Sequence, residues 1–200
     1  MSRSGTAAYD GRTGLPAQVQ AAVELARAAQ FPHSCLPEQG ELLRLLARGM
    51  GPAVIGETGT GYGVGLAWLI AGAHPQAKVI SIEREPQRAA AAAALFPDNP
   101  RVDVRVGDWP DLRAFGPFHL LVLDGGGQGK QDEAPLDPTD WLRPGGLLVI
   151  DDFTPSTTWP PRYAGQVDTA RLHWLDHPDL HATQINVSPE SATILATYTG

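Results

Sequence analysis

Five short apolar runs recur along the middle of the chain, and segments with helical periodicity separate them. The runs are AVIGE, AKVISIE, VDVRVGD, FHLLVLD and GLLVIDD, and all five end in a carboxylate. HLLVL and LLVI are apolar at successive positions, which is typical of central strands that helices cover on both faces. The alternation of strands with helical segments predicts βαβ units on a parallel sheet.

Helical patterns also precede the first strand and follow the fifth. Pro16 can open a helix over AQVQAAVELARAAQ, and PEQGELLRLLARGM carries a wide apolar stripe. Between the strands, the segments that can be helical are 64–74, 87–95, 111–115 and 138–142. After the helix-like VDTARLHWL, the runs HATQINV and SATILATYT flank SPE, which predicts a closing antiparallel hairpin.

These elements predict a single α/β domain. Its sheet is mostly parallel and seven-stranded, with helices on both faces and a C-terminal antiparallel hairpin. A length of 200 residues fits one domain with a sizeable core. Residues 1–15 are small, polar and glycine-containing, so we expect a flexible N-terminal segment there and the domain itself over residues 16–200.

Composition narrows the classes of partner. The net charge of -7 and the isoelectric point near 5.2 argue against nucleic acid, whose phosphates require clustered Lys and Arg. No segment approaches the roughly 20 apolar residues that span a bilayer, so we expect no membrane partner. Cys35 is the only cysteine, which favours a reducing, cytoplasmic location. A small molecule is therefore the expected partner.

The loop after the first strand carries glycine at positions 56, 59, 61, 63 and 65. Such a turn lets a ligand approach the backbone closely and leads into a helix N-terminus. The dinucleotide fingerprint requires a third small residue, but Val64 and Leu66 occupy the candidate positions. A P-loop also fails, because no G-K-[ST] follows. With these two motifs excluded, the pattern that remains is an acid followed by G-x-G, formed by Glu57, Gly59 and Gly61.

This E-x-G-x-G sequence resembles the first motif of the class I S-adenosylmethionine-dependent methyltransferases, and the next strand ends match that family in order. The resemblance implies a Rossmann-like methyltransferase fold in which Glu57 and the glycine backbone hold the methionine portion. Glu83 matches the acid that binds both ribose hydroxyls. Asp108 matches the acid near the adenine amino group, and Trp109 is placed to lie against the purine. At the position after Glu83, members of the family often have an apolar residue that packs on adenine, whereas this chain has Arg84.

The chain is most similar to the small O-methyltransferase-like branch of that family, with a core of the catechol O-methyltransferase type. There, an acid after the fourth strand and an acidic pair after the fifth bind a divalent ion, and the matching residues are Asp124, Asp151 and Asp152. Hard oxygen ligands of this kind suit Mg²⁺ or Ca²⁺. An alternative without metal, in which Asp151 caps a loop and Asp152 faces solvent, stays open.

The resemblance implies direct transfer of a methyl group from S-adenosylmethionine to a hydroxyl oxygen of a small molecule. Asp124 and Lys130 are the catalytic candidates, although GGGQGK places Lys130 farther from Asp124 than the family's lysine base. A cofactor-binding or scaffold protein without chemistry therefore stays open. A nicotinamide-dependent oxidoreductase is disfavoured by the missing third glycine. Members of the branch are often dimers, which leaves a homodimer open.

Other candidate groups are interpreted as packing or surface residues. The histidines form no metal-ligand spacing on one element: His33, His119, His173, His177 and His181. Cys35 is interpreted as a small buried residue rather than a nucleophile. The Pro-rich DDFTPSTTWPPRY follows a binding-site strand end, where a substrate lid with Trp159 and Tyr163 and an ordinary loop both stay open.

Overall fold

A computed structural model describes residues 5–131 and 133–200, and its elements follow the predicted order. The strands are β1 (Val54–Thr58), β2 (Lys78–Glu83), β3 (Val102–Val106), β4 (Phe118–Leu123), β5 (Leu142–Phe153), β6 (Arg162–Tyr163), β7 (Gln166–Val167), β8 (Leu180–Asn186) and β9 (Ala192–Tyr198). The helices are α1 (Ala17–Ala28), α2 (Pro37–Gly49), α3 (Val64–Gly72), α4 (Pro86–Ala93), α5 (Pro138–Trp141) and α6 (Thr169–Leu175). Short 3-10 helices cover Ala7–Tyr9 and Trp109–Phe115.

Seven strands form one sheet in the order β3-β2-β1-β4-β5-β9-β8. The first five are parallel to their neighbours, and β9 runs antiparallel to both β5 and β8. The predicted α/β fold with a mostly parallel sheet and a closing hairpin is therefore confirmed. Chain order reverses between β1 and β4, and ligands of open α/β sheets bind beyond the carboxyl ends of strands at such a point. A separate β6–β7 hairpin was not predicted.

Successive residues of the central strands pack on opposite faces of the sheet, as period-two strand geometry requires. Leu121 of β4 belongs to a buried cluster with Trp141 of α5 and Trp174 of α6. Its neighbour Leu120 belongs to another cluster, which contains Leu66 of α3. Both faces of the sheet are thus covered, which explains the uninterrupted apolar runs in the sequence.

The helix that follows the glycine loop, α3, is buried between the sheet and the N-terminal helices. Leu66 packs toward the sheet, while Trp68 packs with Val19 of α1 and with Tyr9. Because α3 is covered on every side, it carries an almost unbroken apolar sequence. Among the described residues, no helix has both the length and the apolar character needed to cross a membrane.

The N-terminal segment makes specific contacts from Gly5 onward. Tyr9 is 2% exposed, and its hydroxyl donates to the Cys35 carbonyl at 3.1 Å and accepts from Trp68 Nε1 at 2.9 Å. Thr6 Oγ1 donates to the Phe31 carbonyl at 2.6 Å. This is more packing than the composition of residues 1–15 predicts. Residues 1–4 lie outside the described part of the chain, and the domain boundary at residue 16 stays a prediction.

Candidate functional site

The glycine loop brings the backbone after β1 against two neighbours that a side chain would displace. A Cβ at Gly59, where φ is +83°, would lie 2.5 Å from Gly125 Cα, so the loops after β1 and β4 touch through backbone. A Cβ at Gly65 would lie 2.5 Å from Glu57 Oε1. The first turn of α3 therefore packs directly on the Glu57 carboxylate, which accounts for a glycine that no nucleotide motif requires.

Glu57 is a buried acid at the carboxyl end of β1, and its side chain is held by the neighbouring strand. Ser81 Oγ donates to Glu57 Oε2 at 2.6 Å, and Ser81 Oγ lies 2.5 Å from Thr60 Oγ1. Burial raises the pKa of Glu57 to about 8, with the nearby Glu83 carboxylate adding to the increase. Such a carboxylate is stabilised in its ionised form by a cation placed beside it.

Glu83, at the end of β2, has both carboxylate oxygens engaged. Oε2 accepts from the Gly61 amide at 2.9 Å, and Oε1 accepts from the Glu85 amide at 2.9 Å. Arg88 Nη1 also lies 3.3 Å from Oε1, and its guanidinium stands over the Phe31 ring, 5.5 Å from the centroid. The acid predicted to bind ribose thus lies against the glycine loop, with hydrogen-bond donors already converging on it.

Asp108 and Trp109 begin the 3-10 helix after β3. The exposed Asp108 carboxylate accepts from the Trp109 amide at 2.8 Å and caps that helix. The Trp109 ring packs against Trp141, with centroids 5.7 Å apart, and a Cβ at Gly126 would lie 2.3 Å from it. The indole is therefore in contact with the loop after β4. Its contact with a purine stays a prediction.

Three carboxylates converge beyond the ends of β4 and β5. One oxygen from each of Asp124, Asp151 and Asp152 lies within 4.8 Å of the others. Consecutive strand residues normally point to opposite faces. Here β5 advances three residues from Ile150 to Phe153 while β9 advances two, and Asp152 has a left-handed φ of +65°. This β-bulge re-aims the pair, so that both carboxylates join Asp124.

The acid cluster, defined by Asp124, Asp151 and Asp152, is electrostatically unfavourable without a cation. Burial raises the pKa of Asp124, and the charge of Asp151 raises it further. Burial likewise raises the pKa of Asp151 to about 7, and Asp152 adds to that increase. Three hard oxygen donors at these separations fit a divalent ion such as Mg²⁺ or Ca²⁺. The three acids expected from the sequence thus lie together, and their role as metal ligands stays a prediction.

Lys130 lies beside the acid cluster, although its spacing from Asp124 gave no means of placing it. Its Nζ donates to the carbonyl oxygens of Asp151 at 2.6 Å and Asp152 at 2.8 Å. The ammonium also lies 3.9 Å from the centroid of the Phe153 ring. Burial lowers the pKa of Lys130, while the nearby carboxylates oppose that change. The side chain of Lys130 therefore binds the backbone of the bulge.

Two cavities meet at this site. The cofactor-side cavity lies along the glycine loop and is lined by Phe31, His33, Ser34, Cys35, Gly59, Thr60, Gly61, Tyr62, Val64, Gly65, Glu83, Arg88 and Asp124. The acid-side cavity is lined by His33, Ser34, Cys35, Leu36, Gln39, Asp124, Asp151, Asp152 and Ser191. Residues 33–35 and Asp124 line both, so they mark the junction between the two.

Sequence analysis missed the contribution of the connection between α1 and α2 and of the first turn of α2. Residues 33–35 line both cavities, Phe31 lines the cofactor-side cavity, and Leu36 and Gln39 line the acid-side cavity. His33 and Cys35 were interpreted as packing or surface residues. Cys35 is buried, and burial raises the pKa of its thiol, which agrees with an inert side chain. Motif spacing could not predict that this segment lines the site, because its position depends on how α1 and α2 pack. Trp159 and Tyr163 of the suggested lid are exposed and line neither cavity.

Comparison with known proteins gives concordant matches. A family model described as a methyltransferase domain matches residues 57–153. A catechol O-methyltransferase of Mycobacterium tuberculosis is 34% identical over 143 residues, covering 66% of this chain and 63% of that protein. The chain thus matches less than two thirds of that relative's length. Putative O-methyltransferases from other mycobacteria match at about 30% identity, as in Mycobacterium avium (30%).

Solved structures show the same fold over nearly the whole chain. Cofactor-bound Rv0187 from MTB is 26% identical with a TM-score of 0.72, covering 96% of this chain and 94% of that one. An O-methyltransferase from Bacillus cereus in complex with SAH is 23% identical with a TM-score of 0.74, covering 97% and 96%. The methyltransferase-domain match runs from Glu57 to Phe153 and so includes the acid cluster. In sequence and in fold, the chain is thus similar to S-adenosylmethionine-dependent O-methyltransferases.

Proposed function

We propose that this protein transfers a methyl group from S-adenosylmethionine to a hydroxyl oxygen of a small molecule. The observation that carries the proposal is the junction of the two cavities at Asp124 and residues 33–35. A methyl donor in the cofactor-side cavity and an acceptor in the acid-side cavity would meet there. Direct displacement requires mainly this alignment and the exclusion of water. The curated relatives named as O-methyltransferases support the same activity.

On the cofactor side, Glu57 and the backbone of Gly59 and Gly61 would hold the methionine portion. S-adenosylmethionine, when bound, supplies a methyl group on a cationic sulfonium and also carries an ammonium. The buried Glu57 carboxylate would be stabilised by that positive charge, as it has no cationic side chain bonded to it within the described residues. An anionic pyrophosphate would be repelled by the same carboxylate, which argues against a nicotinamide cofactor.

Glu83 would accept hydrogen bonds from the ribose hydroxyls. Its Oε1 already accepts from Arg88, whose side chain is partly exposed. Asp108 and Trp109 are the residues proposed for adenine. Asp108 is exposed beyond β3, where its second oxygen can accept from an exocyclic amino group.

On the acceptor side, Asp124, Asp151 and Asp152 would hold Mg²⁺ or Ca²⁺. The ion, when bound, supplies Lewis acidity that favours the ionised form of an acceptor hydroxyl. Lys130 fixes the carbonyls of the bulge and so holds the two adjacent carboxylates in position. Burial lowers the pKa of Lys130, which makes it easier for the ammonium to give up a proton and for the resulting amine to accept the acceptor proton at Nζ.

Binding and turnover are tested separately. Calorimetry with S-adenosylmethionine and with its demethylated product should show binding to the wild-type protein, and Glu83→Gln should weaken it about tenfold or more. Glu24→Gln, at an exposed position on α1, is the matched control. Methylation of a panel of phenols with Mg²⁺ is then followed by mass spectrometry.

The two halves of the proposal fail in different ways. Absence of binding to either cofactor form would refute the methyltransferase function itself. Tight binding with no methylated product would favour a cofactor-binding protein without chemistry, which the GGGQGK sequence left open.

A further inference from the structure

Gln128 lies in the loop after β4, and its side chain joins the ends of two strands. Nε2 donates to the Leu123 carbonyl of β4 at 2.7 Å and to the Asp151 carbonyl of β5 at 3.2 Å. The residue is only 7% exposed, so both contacts are made away from solvent. A primary amide has two donor hydrogens, and one Gln128 side chain can therefore serve a carbonyl on each strand.

This link lies where the backbone pairing of β4 and β5 stops. The parallel register between the two strands ends with the pair Leu123 and Ile150. The next residues along each strand are Asp124 and Asp151, whose carboxylates belong to the acid cluster. Gln128 thus supplies a side-chain connection between the strands at the level of the acids, one step beyond the last backbone pair.

The two carbonyls that Gln128 holds are adjacent in the chain to two of the acids. The Leu123 carbonyl belongs to the peptide group that leads into Asp124. The Asp151 carbonyl belongs to the peptide group that leads into Asp152. Because a peptide group is planar, a fixed carbonyl also fixes the orientation of the residue that follows it. Gln128 therefore sets the position of Asp124 relative to Asp152.

The backbone of Gln128 is itself held in place. Trp174 Nε1 donates to the Gln128 carbonyl at 2.8 Å, and the Trp174 side chain is fully buried. Gly127 and Gly129, on either side, have positive φ and turn the chain back toward the strand ends. Gln128 lines neither of the two cavities, so it acts on the acids through the backbone and does not contact a ligand in either cavity.

The spacing of the acids matters differently to the two cations proposed for the site. Mg²⁺ requires nearly ideal octahedral geometry with oxygens at about 2.0–2.1 Å, whereas Ca²⁺ accepts flexible arrangements at about 2.3–2.6 Å. Ligands that come from two strands keep a narrow spacing only if the strand ends are held together. A loss of that connection should thus weaken Mg²⁺ binding more than Ca²⁺ binding.

We propose that Gln128 is a positioning residue that holds the acid cluster at the spacing that Mg²⁺ requires, and so sets the selectivity of the site between Mg²⁺ and Ca²⁺. This inference rests on the proposed function, because it takes the three acids as ligands of a divalent ion. It also gives a role to the GGGQGK sequence, whose glycines return Gln128 to the strand ends.

The experiment measures the binding of Mg²⁺ and of Ca²⁺ to the metal-free protein by calorimetry, so that the readout does not depend on turnover. Gln128→Met keeps a side chain of similar length but has no donor hydrogens. We expect its affinity for Mg²⁺ to fall about tenfold or more, and its affinity for Ca²⁺ to fall less than about threefold. Gln166→Met, at an exposed position on β7, is the matched control and should bind both ions like the wild type.

Two further variants separate positioning from folding stability. Gln128→Asn keeps an amide but is one methylene shorter, so it loses at least one of the two contacts and should shift the ratio of the affinities in the same direction. Val23→Ala, in the buried cluster that also contains Tyr9, should lower the thermal midpoint by removing buried methyl groups. Its ratio of Mg²⁺ affinity to Ca²⁺ affinity should nevertheless match that of the wild type.

Three results would overturn the inference. The first is an unchanged ratio of affinities in both Gln128 variants, which includes an equal loss for the two ions. The second is the same shift of the ratio in Val23→Ala, which would assign the effect to stability. The third is a wild type that binds neither ion. That result would also refute the metal part of the proposed function, while the separate titration with S-adenosylmethionine would still test the methyltransferase part.

Discussion

Glu57 Oε1 lies so close to Gly65 that the Cβ of any larger residue at position 65 would be only 2.5 Å from it. The buried acid at the end of β1 and the first turn of α3 are therefore fitted to each other.

Gly65→Ala tests this fit. Because the added methyl group must displace the Glu57 carboxylate or the start of α3, we expect cofactor affinity to fall about tenfold or more. Calorimetric titration with S-adenosylmethionine measures the change. Gly49→Ala, at the end of α2 where a Cβ meets no atom within 4 Å, is the matched control and should bind like the wild type. Unchanged affinity in Gly65→Ala would contradict the role given to Glu57.

Cofactor binding should depend on pH through Glu57. Its pKa is raised to about 8 by burial, so the carboxyl is largely protonated at pH 6 to 7 and must lose its proton to pair with a cation. Affinity should therefore rise with pH up to about 8, by at most about tenfold per unit, with proton release that calorimetry in different buffers can count. Glu57→Gln should remove this pH dependence. Proton release that persists in Glu57→Gln would assign it to another group.

The same acid should affect stability with the opposite sign. Between its ordinary pKa of 4.5 and the folded value of about 8, Glu57 is protonated in the folded protein and ionised in the unfolded chain. The folded state binds more protons there, so the free energy of unfolding should fall as pH rises through this window. Urea denaturation at several pH values should show a smaller decrease in Glu57→Gln than in the wild type.

The acid cluster is tested by removing single carboxylates. Asp124→Asn and Asp152→Asn should each lower methylation at least about tenfold and abolish its dependence on Mg²⁺, because each removes a hard oxygen ligand. Activity is measured across a Mg²⁺ titration and in chelator. Asp98→Asn, at an exposed position, should behave like the wild type. Full wild-type activity in chelator would refute the metal role.

Lys130 has both a structural and a chemical part in the proposed site. Lys130→Met removes the donor to two backbone carbonyls and should lower stability by about 1–3 kcal/mol, which thermal or urea denaturation measures. Lys78→Met, at the exposed start of β2, is the control. If Lys130 also accepts the acceptor proton, residual activity of Lys130→Met should increase with pH as hydroxide replaces the amine. An unaltered pH profile would limit Lys130 to its structural part.

The parts of the site that could be predicted from the sequence follow from local rules. Apolar runs and helical periods give the βαβ order, and acids at parallel strand ends must share one edge of the sheet. Glu57, Glu83 and Asp124 could be located for this reason. Trp109 was located equally well, but the direction of its ring depends on Trp141 and the loop after β4, which no local pattern encodes.

The parts that could not be predicted depend on tertiary packing. Lys130 returns to the acid cluster because the loop between it and Asp124 reverses through glycines with positive φ at positions 126, 127 and 129. Gln39 resembles a surface residue in the first turn of an amphipathic helix, and only the packing of α2 beside the sheet buries it. The N-terminal anchor at Tyr9 is a contact of the same kind.

The β-bulge in β5 also gives the C-terminal hairpin a part in the proposed chemistry, although no candidate catalytic group lies on β9. The spacing of the two adjacent acids is set by how the last strand pairs with β5, where Thr193 Oγ1 donates to the Ile150 carbonyl at 2.9 Å. A one-residue insertion or deletion in β9 would thus re-aim Asp152 without altering any acid. If the acid cluster holds a cation as proposed, its selectivity would therefore depend on the register of this hairpin as well as on the three acids themselves.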